Sequence, residues 1–96
     1  MVNKQIFVTG QVQGVFFRDS TRQKAVALKL TGMVRNLLDG RVEVHVVGES
    51  SAVQILIKWL EIGPKYAKVS TIEVIDLSLA TLDNQHSTDF EVWPTA

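Results

Sequence analysis

The sequence predicts a single α+β domain, residues 1–96, on the ferredoxin-like β-α-β-β-α-β plan, with an antiparallel sheet and two helices on one face. Segments rich in β-branched residues alternate with two segments of helical spacing, and a tight Asp39-Gly40 turn joins the two middle strands. A chain of 96 residues with 46% hydrophobic and 21% charged side chains is also ordinary for one globular domain.

The first strand and helix have clear local signals. The segment KQIFVTG is typical of a strand that ends at Gly10. Ser20 is followed three residues later by Gln23, which is a capping-box pattern. This pattern predicts a helix from Ser20 to about Leu30.

A hairpin is predicted next. TGMVRN is typical of a second strand, and LLDG is a turn in which Gly40 supplies the positive φ that a tight hairpin needs. RVEVHVVG is typical of a third strand, whose alternating valines face the core: Val42, Val44 and Val46.

The second half supplies another helix and two strands. Ser51 with Gln54 predicts a cap, Gly63-Pro64 predicts the end of the helix, and its apolar stripe is Val53, Leu56, Ile57 and Leu60. KVSTIEVIDLSL is typical of a fourth strand, ATLDNQHSTD of a polar excursion, and FEVW of a short last strand.

The predicted topology places two loops together. Strands one and two run parallel with strand three between them. The GQVQGVFFR loop and Asn36, at the C-terminal ends of these two strands, are therefore expected to lie at the same edge of the sheet, roughly 10 Å apart. A small ligand there would touch both.

The GQVQGVFFR loop has the features of an anion site. Its backbone N–H groups lie before a helix, Gly14 permits a concave turn, and the guanidinium of Arg18 suits two phosphate oxygens. Residues 1–48 carry seven Lys/Arg against three acids, a balance that attracts anions. The same features also fit a plain tight connection with a solvated arginine, so the residues alone leave both interpretations open.

Composition excludes several classes of function. The chain has no cysteine, which removes disulfides, thiol nucleophiles and zinc–thiolate sites. Zero net charge argues against a general nucleic-acid binder. No segment is apolar over enough length for a secretory signal or a membrane span, so a cytoplasmic location is expected. His45 and His86 are expected to be solvated and to hold no metal.

Two segments carry a resemblance to a known family. GQVQGVFFR resembles the G-x-V-Q-G-V-x-F-R signature of the acylphosphatase family, and TGMVRNLLDGRVEVHVVG resembles its second signature, in the family's order and spacing. The matching positions of the second segment are Gly32, Val34, Arg35, Asn36, Gly40, Val42 and Gly48. The chain departs from the family at Met33, at Leu38 and in the absence of a tyrosine near the end, positions that affect packing or turn stiffness.

The resemblance implies hydrolysis of a small acyl phosphate to a carboxylate and inorganic phosphate, without metal or cofactor. It implies that Arg18 binds the phosphate together with backbone N–H groups, and that Asn36 orients the attacking water. The N–H groups are those of Gln13, Gly14, Val15, Phe16, Phe17 and Arg18. Phosphate or sulfate is expected as a product-like ligand, with no nucleic acid, no membrane and a monomeric chain.

Other side chains near the loop have plainer interpretations. Ser20 and Thr21 are expected to cap the helix and not to act as nucleophiles, because no base is placed to activate them. Asp19 either pairs with Arg18 or interacts with the helix dipole. Arg35 and Arg41 are expected to be solvated charges, with modest electrostatic steering of an anionic ligand as the alternative, and Trp59 and Trp93 are expected to be packing residues.

Two alternatives use the same fold. One is a non-catalytic acylphosphatase-like domain of the kind that accompanies carbamoyl transfer in hydrogenase maturation, which normally sits in a long chain. The other is an RNA-binding domain, which requires stacking aromatics on the central strands. Strand one offers only Phe7, and RVEVHVVG offers none.

Overall fold

The computed structural model of the protein describes residues 1–77 and 89–96. Seven elements follow one another in the predicted order, with a short fifth strand at the end. They are β1 (Val2–Gln11), α1 (Phe17–Ala27), β2 (Thr31–Asn36), β3 (Val42–Gly48), α2 (Ser50–Leu60), β4 (Lys68–Leu77) and β5 (Phe90–Val92).

The strands form one sheet in the order β4-β1-β3-β2-β5. β1 and β2 both pair antiparallel with β3, so they run parallel to each other on its two sides, as predicted. The four longer strands pair antiparallel, whereas β5 pairs parallel with β2, so the sheet as a whole is mixed. The ferredoxin-like α+β class is confirmed, with this one parallel pair added to the expected sheet.

The core lies between the helices and one face of the sheet. The alternating valines of β3 are fully buried, and so is the predicted stripe of α2 apart from a slight exposure of Ile57. Phe17, at the start of α1, is 1% exposed and packs against Trp59 with ring centroids 5.9 Å apart. This contact anchors the end of the GQVQGVFFR loop to the core and confirms the packing role of Trp59.

The predicted start of α1 was wrong. The helix begins at Phe17, after Phe16 in the left-handed region, and no side chain caps it. The N–H of Ser20 donates to the carbonyl of Phe16 at 3.1 Å inside the first turn, and Gln23 donates to Asp19 at 2.8 Å. The capping-box pattern therefore lies within the helix, where the side chain of Gln23 bonds to Asp19 and does not cap the helix.

The end of α1 and the start of α2 also differ from the prediction. α1 ends at Ala27 because Lys29 adopts φ 59° and Leu30 N–H donates back to Ala25 at 2.9 Å, a Schellman closure without glycine. α2 begins at Ser50 after Glu49, with no side-chain cap, so the cap predicted at Ser51 was wrong.

The sheet face away from the helices carries paired charges where solvated ones were expected. Arg35 Nε donates to Glu43 Oε1 at 2.7 Å, and its guanidinium lies 5.8 Å from the ring centroid of Trp93. Gln5 donates to the other oxygen of Glu43, also at 2.7 Å. The expectation of a solvated Arg35 was wrong because Glu43 lies directly opposite it on β3.

Arg41 is paired as well. Its Nε donates to Asp39 at 2.8 Å, and its guanidinium lies 4.6 Å from the ring centroid of Phe7. The backbone N–H of Arg41 also donates to Asp39, and this bond chiefly lowers the pKa of that carboxyl. Arg41 is therefore a surface charge, as expected, with an exposed ion pair to Asp39 in addition, and its guanidinium lies over the aromatic ring of Phe7 on β1.

His45 is half-buried and its Nε2 lies 2.6 Å from Asn3 Oδ1, so the expectation of a solvated histidine was wrong here. His86 lies outside the described residues. Within residues 1–77 and 89–96, no cluster of histidine and carboxylate side chains could hold a metal ion. Neither described helix has the length and apolar character that a membrane crossing requires.

Candidate active site

A cavity of about 590 Å³ opens where β1 and β2 end, and it brings the two predicted site residues together. Arg18 and Asn36 both line it, as does Gly14 of the loop. The remaining lining combines apolar and charged side chains: Val12, Phe16, Phe17, Asp19, Arg22 and Val92. The predicted meeting of the GQVQGVFFR loop with Asn36 at one sheet edge is confirmed.

The backbone of the loop curves just ahead of α1. Gly14 has φ 75°, and Phe16 has φ 62° and ψ 25°, so two left-handed residues curve the backbone. The first bond of α1 runs from Ser20 to Phe16, which leaves the amides of Phe17 and Arg18 without an acceptor inside the helix. Such a concave row of N–H groups at the positive end of a helix is suited to an anion.

Two loop residues that the resemblance assigned to the phosphate site do not line the cavity. Val15 is half-buried and packs against the core. The side chain of Gln13 donates to the carbonyls of Leu37 and Arg41 at 2.8 and 2.9 Å. Gln13 thus connects the loop to the hairpin directly after Asn36, a link that nothing in the sequence pattern reveals.

Arg18 lies in the first turn of α1 with its side chain half-buried. No ion pair of Arg18 is found in the described part of the chain, and the nearby carboxylate is occupied elsewhere. Asp19 accepts from Arg22 at 3.1 Å and from Gln23 at 2.8 Å. Of the two roles open to Asp19, pairing with Arg18 is therefore wrong, and the Arg18 guanidinium stays available to a ligand.

Asn36 ends β2 and is 9% exposed. Its backbone is held on both sides: it pairs with Val42 of β3, and its carbonyl accepts from the N–H of Ala96 at 3.0 Å. Its side-chain Oδ1 is buried without a hydrogen-bond partner among the described residues. A buried acceptor without a hydrogen bond lowers the stability of a folded protein by about 1–3 kcal/mol. A buried asparagine at this position is therefore explained best if a ligand or a water donates to its Oδ1.

The two hydroxyl residues of α1 do not have the surroundings of a nucleophile. Thr21 is fully buried, and its Oγ1 donates to the carbonyl of Phe17 at 2.7 Å. Ser20 is half-buried within the helix and does not line the cavity. Both lie inside α1, so the capping role expected for them was also wrong.

Comparison with known proteins shows the family of this chain. A family model described as Acylphosphatase matches residues 4–92. The chain belongs to the acylphosphatase family. The acylphosphatase of Rubrobacter xylanophilus is 53% identical over 70 residues, which cover 73% of this chain and 64% of that protein, slightly under two thirds of its length.

Solved structures of acylphosphatases share the fold. The crystal structure of acylphosphatase from Bacillus subtilis matches with a TM-score of 0.87 and 33% identity, over 97% of this chain and 99% of that chain. HypF from T.kodakarensis matches with a TM-score of 0.79 and 29% identity, over 97% of this chain but only 12% of that chain. Membership of the acylphosphatase family confirms the predicted function, hydrolysis of an acyl phosphate.

The link made by Gln13 leads to a first prediction. Gln13→Ala is expected to lower kcat/KM for an acyl phosphate by about 10- to 100-fold, because small misplacements of catalytic groups are costly. Steady-state kinetics and thermal unfolding of the same samples would measure it. Gln11→Ala removes an exposed glutamine at the end of β1 and should remain near wild type.

A second variant separates hydrogen bonding from packing. Gln13→Glu keeps the length of the side chain but replaces its donors with oxygens that face two carbonyls. It should be at least as impaired as Gln13→Ala. Near-normal kinetics for Gln13→Glu would show that these two hydrogen bonds do not position the loop.

Proposed function

We propose that Arg18 and the loop amides hold the phosphoryl group of a small acyl phosphate while Asn36 directs water at phosphorus. The observation that carries this proposal is that Asn36, whose buried Oδ1 has no hydrogen-bond partner among the described residues, lines the same cavity as Arg18, for which no ion pair is found among those residues. Within residues 1–77 and 89–96, the Oδ1 of Asn36 has no hydrogen-bond donor and the guanidinium of Arg18 has no carboxylate partner. A phosphoryl group with an attacking water would supply both.

The binding half of the mechanism rests on charge and shape. The cavity is lined by two arginines and one aspartate, and Arg22 is engaged by Asp19. Arg18 therefore supplies the available positive charge, and its planar guanidinium matches two phosphoryl oxygens. The amides ahead of α1 add neutral donors and the helix dipole. Together they stabilise the charge that spreads over the phosphoryl oxygens during transfer.

The hydrolytic half rests on the amide of Asn36. Its carbonyl oxygen accepts from a water, and its NH₂ group donates to a phosphoryl oxygen, so one side chain fixes the angle of attack. An aspartate at this position would place a second negative charge beside the substrate dianion. The neutral amide avoids that repulsion.

The reaction needs no general acid from the protein. Water oxygen forms a bond to phosphorus, the bond from phosphorus to the acyl oxygen breaks, and the carboxylate leaves with the electron pair. The conjugate acid of that carboxylate has a pKa of about 4, so it departs unprotonated. The proton of the attacking water passes to a phosphoryl oxygen of the substrate. The products are a carboxylate and inorganic phosphate.

Turnover assays test the proposal. The protein should hydrolyse benzoyl phosphate and leave phenyl phosphate, a monoester with a much poorer leaving group, essentially untouched. Inorganic phosphate should inhibit competitively, because it occupies the same loop. Trapping of a phosphorylated protein, or equal rates on both substrates, would refute direct attack by water.

The alternatives have less support. The match to HypF covers only 12% of that chain. A non-catalytic role of the kind expected for an acylphosphatase-like domain in a long chain would give no reason for the buried Asn36 Oδ1, which has no hydrogen-bond partner among the described residues. An RNA-binding role requires free aromatics on the sheet, yet Phe7 lies beneath Arg41. Action as a monomeric single domain in the cytoplasm, with no cofactor, is part of our proposal.

A further inference from the structure

Phe16 stands in an unusual place for a large apolar residue. Its side chain is 80% exposed at the lip of the cavity, and its backbone has φ 62°. The fold uses only its main chain, whose carbonyl accepts the first bond of α1 from Ser20. Glycine or asparagine would adopt this left-handed conformation with less strain. Folding therefore accounts for the backbone of Phe16 and not for its ring.

A second apolar side chain borders the same cavity. Val92 of β5 is 42% exposed and pairs with Val34, two residues before Asn36 on β2. Phe16 directly precedes α1 and Val92 lies on β5, and these two elements pack against each other, so both side chains border the cavity. A cavity of about 590 Å³ falls in the size range that holds whole small molecules, so it has room beyond a phosphoryl group.

The charged residues that line the cavity do not offer an available partner for a polar group on the acyl part of a substrate. Arg22 is the cation besides Arg18 that lines the cavity, and Asp19 holds it at 3.1 Å. A second carboxylate or phosphate on the substrate would have to displace that ion pair. Apart from Arg18, Asn36 and the Asp19–Arg22 pair, the side chains that line the cavity are apolar, namely Val12, Phe16, Phe17 and Val92.

We infer that Phe16 and Val92 bind the acyl part of the substrate and make the enzyme favour aromatic or extended apolar acyl phosphates over acetyl phosphate. This inference rests on the proposed function, because it assigns the phosphoryl group to Arg18 and the loop. The acyl group then extends from the phosphate toward the mouth of the cavity, where the two apolar side chains exclude water from one face of it.

The test is the ratio of kcat/KM for benzoyl phosphate to that for acetyl phosphate. Phe16→Asn keeps a residue that tolerates the left-handed backbone but removes the ring, and it should lower this ratio by about tenfold or more, the scale of discrimination by an apolar pocket. Phe16→Leu should retain part of the ratio. Val92→Thr, which is nearly isosteric, should lower it less, in the same direction.

Leu38→Asn is the matched control, because Leu38 is 88% exposed and does not line the cavity. Its substrate ratio should equal that of the wild type. If Phe16→Asn also kept the wild-type ratio while turning over both substrates, the inference would be overturned and the proposed function would stand. If the wild-type protein hydrolysed neither substrate, the proposed function itself would fail.

Discussion

Arg18→Lys is expected to lose most of the acyl phosphate hydrolysis, with kcat/KM lowered on the order of 10²-fold or more even though the charge is kept. Arg18 projects from the first turn of α1, where the helix backbone fixes the direction of its side chain. Its guanidinium presents parallel donors in one plane, whereas a lysine ammonium is a point charge on a flexible stem. The difference should be largest in the transition state, where charge spreads over several oxygens.

Arg22 provides the matched control for Arg18. Both arginines line the cavity, but Arg22, which lies four residues after Arg18 in α1, is paired with Asp19. Arg22→Lys should therefore keep most of the activity under the same assay. Near-normal benzoyl phosphate turnover by Arg18→Lys, or an equal loss in the two variants, would contradict the specific role of the Arg18 guanidinium.

The strands and the buried faces follow from local patterns. The valines of β3 and the stripe of α2 were predicted correctly because burial repeats with the period of each element. The helix boundaries were missed because both helices start without a side-chain cap, and α1 ends on a left-handed lysine. These ends are set by backbone conformation and tertiary packing, which residue preferences indicate only weakly.

The candidate site was predictable to a similar extent. Topology alone brings the end of β1 and the end of β2 to one edge, so Arg18 and Asn36 could be placed together. The contacts of Gln13 span 24 and 28 residues of sequence, and the desolvation of Asn36 depends on strands packed around it. Such relations exist only in the folded chain. The pairing of Arg35 was missed for the same reason, since its partner is set by strand register.

In our proposal Asn36 serves function at the expense of stability, because its buried Oδ1 has no hydrogen-bond partner among the described residues. Its register pairing with Val42 of β3 and the bond from the N–H of Ala96 to its carbonyl do not depend on the side chain, so Asn36→Ala leaves them in place. The substitution also removes a buried acceptor that has no partner in the described part of the chain. The free energy of unfolding should therefore change by less than about 1 kcal/mol, since the relief of that acceptor offsets the lost packing.

Activity should behave differently from stability in the same variant. Asn36→Ala is expected to lower kcat by on the order of 10²–10³-fold, because the attacking water loses the group that aims it. Inhibition by inorganic phosphate should be largely retained, since Arg18 and the loop amides remain. Asn3→Ala, at a buried asparagine bonded to His45, should instead lower stability with little selective effect on kcat. If phosphate affinity fell together with kcat in Asn36→Ala, Asn36 would be a phosphate ligand and the division of labour with Arg18 would be wrong.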